Sequence, residues 1–414
     1  MQKNRRSDRY LGVFPGLSLI VLGLLLLPLR ASSTAASELV YVATYEGVIN
    51  PVAAEYINHV LTEAQENTAA AVIIRLDTPG GLDTSMRLII KDITSSPVPV
   101  IVYVSPSGGR AASAGVFILY SAHIAAMAPS TNVGAAHPVA MGGGEMDAVM
   151  KEKVENDAAA YIKSIAEKRG RNIKWAEDAV RKSLSVTEKE ALGLKVIDLI
   201  ADDVPSLLAA VDGRQIITGA GKIVLHTKGA VLKELPMGWR LEALKALSDP
   251  NIAFLLMTLG TIGLLAELYN PGAILPGIVG AISLILAFYS LQTLPINYAG
   301  VLLIILGIVL FILEIKVMSY GLLSLGGLAS LVFGALLLVK TDAPFLRVSL
   351  SFIIPTAVVL GMVLMTLTWI AVKTQRRHAV TGAEAMVGTI VLAQTDVAPK
   401  GRVFVHGEIW EAVS

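Results

Sequence analysis

Between residues 39 and 201 two apolar patterns alternate. Short continuous runs, "LVYVATYEGVI", "AAVIIRLD" and "VPVIVYV", are bounded by turn residues and read as buried strands. Between them, apolar residues recur three and four positions apart. That spacing predicts helices over Asn50 to Asn67, with Asn50-Pro51 as a start signal, over "DTSMRLIIKDITSS", over "ASAGVFILYSA" and over Asp147 to Arg169. "HIAAMAPSTNVGA" reads as a short strand and a loop. Buried strands separated by helices indicate a parallel sheet covered on both faces. This α/β unit is placed at residues 38–212.

Residues 213–250 read as a connector. A β-like piece, "KIVLHTKGAVL", precedes "GWRLEALKALSDP". There Trp239, Leu241, Leu244 and Leu247 suit an amphipathic helix at a membrane surface, or an ordinary linker helix. Residues 251–373 are almost continuously apolar and predict five membrane segments, at about 252–268, 273–290, 299–316, 321–339 and 350–372. The first two are short enough to form a re-entrant pair instead. "GAILPGIVGAISLILAF" aligns with "GLLSLGGLASLVFGALL", 49 residues later, as a weak internal repeat. Gly272, Gly277 and Gly280 permit close helix packing. Glu267 and Glu314 close the helices before these repeats, and a solvated interfacial carboxylate is the plainest reading of each. Residues 374–414 alternate apolar and polar positions and predict three short strands, too few to close a barrel.

Residues 1–37 begin with Lys3, Arg5, Arg6 and Arg9, continue through an apolar run from Leu11 to Leu29, and end in small residues. This is a signal-peptide pattern; the length of the run also suits an uncleaved anchor. The α/β unit is then extracytoplasmic. An odd number of spans carries "KTQRRH" and the tail to the cytoplasm, in line with the positive-inside rule, although Lys340 and Arg347 fall in an outside loop. The expected location is a cell (inner) membrane, crossed several times. Composition agrees: 54% of the 414 residues are hydrophobic and the mean hydropathy is +0.64, too apolar for an ordinary soluble protein. A net charge of +1 offers no basic surface for nucleic acid, and the absence of cysteine excludes disulfides and thiolate metal sites.

The candidate chemistry follows two strands. "DTPGG" places Gly80 and Gly81 before one helix, where backbone N–H groups can hold a developing negative charge; a tight turn needing positive φ explains the glycines equally. "GGRAASAG" places Ser113 at the start of the next. In a parallel sheet both helix starts lie at the carboxyl edge, where sites form. A serine nucleophile needs a base. Of six histidines, His59, His123, His137, His226, His378 and His406, only His123 and His137 flank this region. Lysine is the alternative, and the helix from Asp147 offers Lys151, Lys153 and Lys163. A lysine serving as base near pH 7 must lose about 3 units from its ordinary value of ~10.4, which costs about 4–5 kcal/mol. Burial or nearby positive charge has to supply that. The small apolar residues Ala158 to Ala160 suggest that this helix packs on the core, and periodicity leaves Lys151 and Lys153 equivalent.

"LDTPGG", "SPSGGRAASAGVFI", "NVGAAHPV" and "KVENDAAAYIKSIAEKRGRN", in this order and followed by "ELYNPGAILPGIVG", resemble the NfeD family of membrane-bound serine proteases of the ClpP class. The resemblance runs from about Glu38 to Ala201 and on into the membrane region. It implies an α/β ClpP/crotonase-like fold, an all-α membrane domain and an OB-like β tail, shortened here. It implies a Ser–Lys dyad of Ser113 as nucleophile and Lys153 as general base, with Gly80 and Gly81 at the oxyanion hole. It further implies hydrophobic peptide substrates, a stomatin-like (SPFH/band 7) membrane partner, a homo-oligomer and no cofactor. Two rivals stand beside this reading. One is a non-catalytic membrane scaffold for SPFH proteins. The other is a CoA-ester enzyme on the crotonase fold, which usually needs a carboxylate acid/base that the sequence does not offer.

Overall fold

The computed structural model describes residues 39–139, 147–269, 272, 274–292, 296–317, 319–339, 347–375, 388–405 and 407–414. The expected leader over residues 1–37 lies outside them, as do His378 and His406.

The α/β unit runs β1 (Leu39–Glu46), α1 (Pro51–Glu66), β2 (Ala71–Asp77), α2 (Asp83–Ser95), β3 (Val100–Val104), β4 (Arg110–Ala112), α3 (Ala114–Ser121), β5 (Ile124–Met127), β6 (Asn132–Gly134), α4 (Ala148–Arg169), α5 (Ile173–Arg181), β7 (Ser185–Thr187), α6 (Glu188–Gly193), β8 (Leu199–Ile200) and α7 (Val204–Val211). Asn50 starts α1 as anticipated: its side chain accepts from the Ala53 N–H at 3.0 Å, and Pro51 occupies the first turn, where a missing N–H costs nothing.

The main sheet is wholly parallel in the order β11-β1-β2-β3-β5-β8. Side chains alternate between its faces. Tyr41, Ala43, Val72, Ile74 and Leu76 join α1, α2 and α3 in the larger core. Val40, Val42, Ile73, Ile101 and Tyr103 join Leu207, Leu208 and Val211 of α7 in a second one. Both faces are therefore covered, as the unbroken apolar strands require.

Two features differ from the sequence expectation. The loops after β3 and β5 contain β4 and β6, which pair in parallel and, with antiparallel β7, make a second small sheet. Strands of three residues carry no readable period. The connector is also not separate. Its hairpin β9 (Gln215–Thr218) and β10 (Gly221–Val224) is followed by β11 (Val231–Glu234), which joins the main sheet beside β1, with Leu39 opposite Val231. The amphipathic helix α8 (Trp239–Leu247) follows, with Leu241 in the larger core and Trp239 exposed.

The membrane region comprises α9 (Pro250–Tyr269), α10 (Ile274–Gln292), α11 (Tyr298–Lys316), α12 (Leu322–Leu337) and α13 (Leu350–Gln375). Pro250–Leu268 and Ile274–Leu291 are long and apolar enough to cross a membrane; the apolar stretches Tyr298–Glu314, Leu322–Leu337 and Leu350–Val363 are shorter. The weak repeat is structural. α9 packs on α10 through Gly263 and Gly280, and α11 on α12 through Gly307 and Gly327; a side chain at the first three would meet the opposite backbone, and one at Gly327 would meet the Phe311 ring. The carboxylates close the hairpins rather than facing solvent alone. Glu314 accepts from the Ser319 hydroxyl at 2.5 Å and from the Gly321 and Ser324 N–H groups at 2.9 and 3.0 Å, capping the start of α12. Glu267 lies against Gly277 of α10. Beyond them β12 (Leu392–Ala393), β13 (Lys400–Val405) and β14 (Glu408–Val413) form an antiparallel sheet in that order; no barrel is present among the described residues.

Two groups hold the end of α3. Arg171, almost fully buried, donates to the Tyr120 and Ala122 carbonyls at 2.7 and 3.0 Å and pairs with Asp198 at 2.5 Å. His123 accepts the Val100 N–H on Nδ1 at 3.1 Å. Burial first, then Arg169, Arg171 and Lys168, push its pKa down to about 3. Unfolded histidine protonates near 6.5, so stability is full above that pH and falls as pH drops toward about 3. Replacing His123 by Asn keeps an acceptor without the titration. We expect the loss of unfolding free energy between pH 6.5 and 4.5, followed by urea denaturation in detergent, to be about 2–3 kcal/mol smaller in His123→Asn than in the wild type.

Candidate active site

The site forms where β2 and β3 end. β2 leads into Thr78, Pro79, Gly80 and Gly81, and β4 leads into Ser113. Thr78 exchanges hydrogen bonds with β4: its N–H donates to the Arg110 carbonyl at 2.8 Å and its carbonyl accepts from the Ala112 N–H at 3.0 Å. Asp77 accepts the Arg110 N–H at 2.9 Å. The two loops are thus laced together before either reaches its candidate residue.

Ser113 has φ +52° and ψ −115°, a conformation that side chains with a Cβ rarely adopt. Its N–H donates to the Gly134 carbonyl of β6 at 3.1 Å, which pins the strained residue from behind. The strain turns the chain sharply from strand into helix and leaves the side chain half-buried at the mouth of α3. Sharp strand-to-helix turns of this kind present nucleophiles elsewhere. Ser113 makes no side-chain cap for α3, so the Ala114 and Gly115 N–H groups of the first turn have no intrahelical acceptor.

Gly80, at φ +115°, faces Ser113. A Cβ built on it falls 2.5 Å from Ser113 Cβ and 3.0 Å from Ser113 Oγ. Gly81 meets Ile49 instead: a Cβ there falls 2.1 Å from the Ile49 carbonyl oxygen. The Ile49 N–H donates to the Gly80 carbonyl at 2.8 Å and the Leu82 N–H to the Ile49 carbonyl at 2.7 Å. Any side chain at either glycine would displace a neighbour. The Gly80 N–H is already engaged: it donates to Thr78 Oγ1 at 3.0 Å, and Thr78 Oγ1 lies 3.2 Å from the Gly80 carbonyl oxygen. The sequence expectation has both glycines as oxyanion donors; of the two, the Gly80 N–H is held by Thr78. Thr78, fully buried, and Ala114 were not singled out from the sequence; the threonine inside "DTPGG" was the available signal.

The candidate bases are spread out. His123 precedes β5 at the opposite, amino edge of the sheet, away from Ser113. His137 donates Nδ1–H to the Val180 carbonyl at 2.9 Å, a structural bond to the end of α5. Lys163 pairs with Glu177 of α5 at 3.8 Å. α4 docks on α2 and α3 through one face: Asp157 meets Arg87 at 2.5 Å, Arg87 lies 4.3 Å over the Tyr161 ring, and Tyr161 stacks on Phe117 at 6.1 Å. Lys153 stands one turn before Asp157 on that face. The expected burial of this helix start is not found. Lys151 and Lys153 are exposed, and Val149 and Met150 beside them expose their apolar side chains too. No group of His, Cys, Asp and Glu suited to hold a metal ion occurs among the described residues.

The NfeD1b N-terminal domain matches residues 39–207 and the NfeD integral membrane domain residues 251–370. The chain is 34% identical over 411 residues to the membrane-bound protease PH1510 of Pyrococcus horikoshii, across 95% of this chain and 92% of the relative. It is 29% identical over 363 residues to the membrane protein NfeD1b of Bacillus subtilis, across 85% and 79%. Among solved structures, a lysine-to-alanine variant of the 1510-N membrane-bound stomatin-specific protease, in complex with a substrate peptide, is 34% identical and has a TM-score of 0.48, over 50% of this chain and 97% of that one. A serine-to-alanine variant of the same protease is 35% identical, with a TM-score of 0.47, over 49% and 100%. Identity to PH1510 along nearly the whole length of both proteins, with both domain types in the same order, establishes that the chain belongs to the NfeD family of membrane proteins.

Proposed function

We propose that this chain is a membrane-bound serine endopeptidase that hydrolyses peptide bonds in hydrophobic segments of membrane-associated proteins, stomatin-like (SPFH/band 7) proteins among them. The observation that carries the reading is the strained Ser113 at a helix mouth, with a side-chain-free glycine pressed against it. The protease activity of PH1510 and the stomatin specificity of its solved domain support the substrate class.

In this mechanism Ser113 Oγ attacks the peptide carbonyl carbon while neutral Lys153 takes the hydroxyl proton. The oxyanion is held by the Gly81 N–H and the uncapped Ala114 N–H. Lys153 then gives its proton to the leaving amine, and water hydrolyses the acyl-enzyme by the same relay. Gly80 supplies shape rather than a donor, and Thr78 is a positioning residue that fixes the Gly80 peptide relative to Ser113. The exposure of Lys153 in the lone chain implies that its apolar surroundings come from a second copy or from bound substrate; the exposed Val149 and Met150 are the surface such a cover would bury.

That same exposure favours a second reading, a scaffold without catalysis. Cleavage of a hydrophobic peptide by the full-length protein in detergent separates the two. Ser113→Ala and Lys153→Ala are each expected to lower the rate at least ~1000-fold; equal slow cleavage by all three proteins rejects the dyad. For Thr78→Val we expect kcat to fall about 10–100-fold with KM within about twofold, and Thr78→Ser to restore most of it. A rise in KM with kcat unchanged would assign Thr78 to substrate binding.

A further inference from the structure

Assuming the peptidase reading above, the geometry points to a further property: the site accepts peptide segments that leave the bilayer within about five residues of the bond to be cut. Three observations carry this. First, the membrane helices share one end beside the α/β unit. α8 runs into the start of α9, the Ser290 hydroxyl near the end of α10 donates to the Leu247 carbonyl of α8, and the Ser349 N–H before α13 donates to Asn251 at 2.8 Å. The Asn297 N–H before α11 donates to the Leu338 carbonyl after α12 at 2.8 Å, placing those two ends together as well.

Second, this end meets the carboxyl edge of the sheet, not the amino edge. Val48, two residues past β1, packs against the apolar cluster of the membrane helices, which includes Ala253, Phe254 and Leu291. α8 braces the same corner: the Lys245 ammonium lies 5.2 Å from the Tyr45 ring centroid, and Arg240 pairs with Glu55 of α1 at 2.8 Å.

Third, the path from that contact to Ser113 is short and made of bonded neighbours. Val48 is followed by Ile49, Ile49 is bridged to Gly81, and Gly80 touches Ser113. One Cα step is about 3.8 Å and one strand spacing about 4.8 Å, which puts Ser113 on the order of 15 Å from the Val48 contact. Extended chain covers ~3.3 Å per residue, so about five residues span the gap. The occupant is therefore a membrane-anchored polypeptide, read at the stretch where it enters or leaves the lipid. A freely diffusing peptide fits the same chemistry but gains nothing from this placement.

The test reconstitutes the full-length protein in phosphatidylcholine/phosphatidylglycerol liposomes. Substrates carry one hydrophobic transmembrane anchor, a Gly/Ser spacer of about 4, 8, 16 or 24 residues, and one fixed apolar cleavage sequence. The same sequence is also supplied as a free peptide, with Ser113→Ala as the blank. We expect the spacer of about 4 residues to be cut at least threefold faster than that of about 16, through effective concentration at a membrane-proximal site. Cleavage that begins only at about 16 residues or more, with the free peptide still cut, overturns the placement and leaves the peptidase reading intact. Failure to cut both anchored and free substrates overturns the two together.

Discussion

Gly80 lies so close to Ser113 that a methyl group on its Cα would overlap the serine side chain. Much of the α/β unit serves to maintain that approach. β2 and β4 are laced through Thr78, the Thr78 hydroxyl holds the Gly80 peptide, and Gly134 of the second small sheet accepts the Ser113 N–H from behind. The positive φ of Ser113 stores conformational strain of order 1–3 kcal/mol that an isolated loop would release, whereas Gly80 adopts its positive φ without that cost. The fully buried strands beneath them supply the rigidity that keeps it.

The same rigidity extends to the lipid side. Gly81 and Ile49 leave each other no room for a side chain, and the residue before Ile49 rests on the membrane helices. The loop from Pro79 to Leu82 is therefore gripped between Ser113 and the membrane helices. In the membrane region the two helical hairpins repeat one solution. Glycines allow close contact, and a carboxylate at the far turn satisfies or abuts the start of the returning helix.

Much of this was legible in the sequence, for identifiable reasons. β1, β2 and β3 are continuous apolar runs with clear turn boundaries, and α1 announces itself through Asn50-Pro51. Ser113, Gly80 and Gly81 stand out as candidates because a parallel sheet gathers helix starts at one edge. What escaped notice lacks a period. β4, β6 and β11 are three or four residues long and owe their pairing to distant partners. The Thr78 bond to Gly80 joins residues two apart in a loop, where composition carries no geometry. The small residues at 158–160 suggest that the start of α4 packs on the core, but only Ala158 and Ala159 face it, one to two turns further along, and the helix start stands clear.

The late strand β11 has a practical consequence. It lies some 190 residues beyond β1 in the chain yet pairs with the first half of that strand, from Leu39 to Val42. The Leu235 N–H continues the ladder to Val42, and the Leu235 carbonyl receives the buried Tyr56 hydroxyl at 2.5 Å. Trimming the protein at the apparent end of its α/β pattern, near Asp212, would uncover the outer edge of β1 and leave an apolar edge strand free to recruit other chains. Any soluble fragment made for crystals or assays has to continue through Leu235, so the natural seam of this molecule lies at the start of the membrane domain and not where the alternation of strands and helices fades.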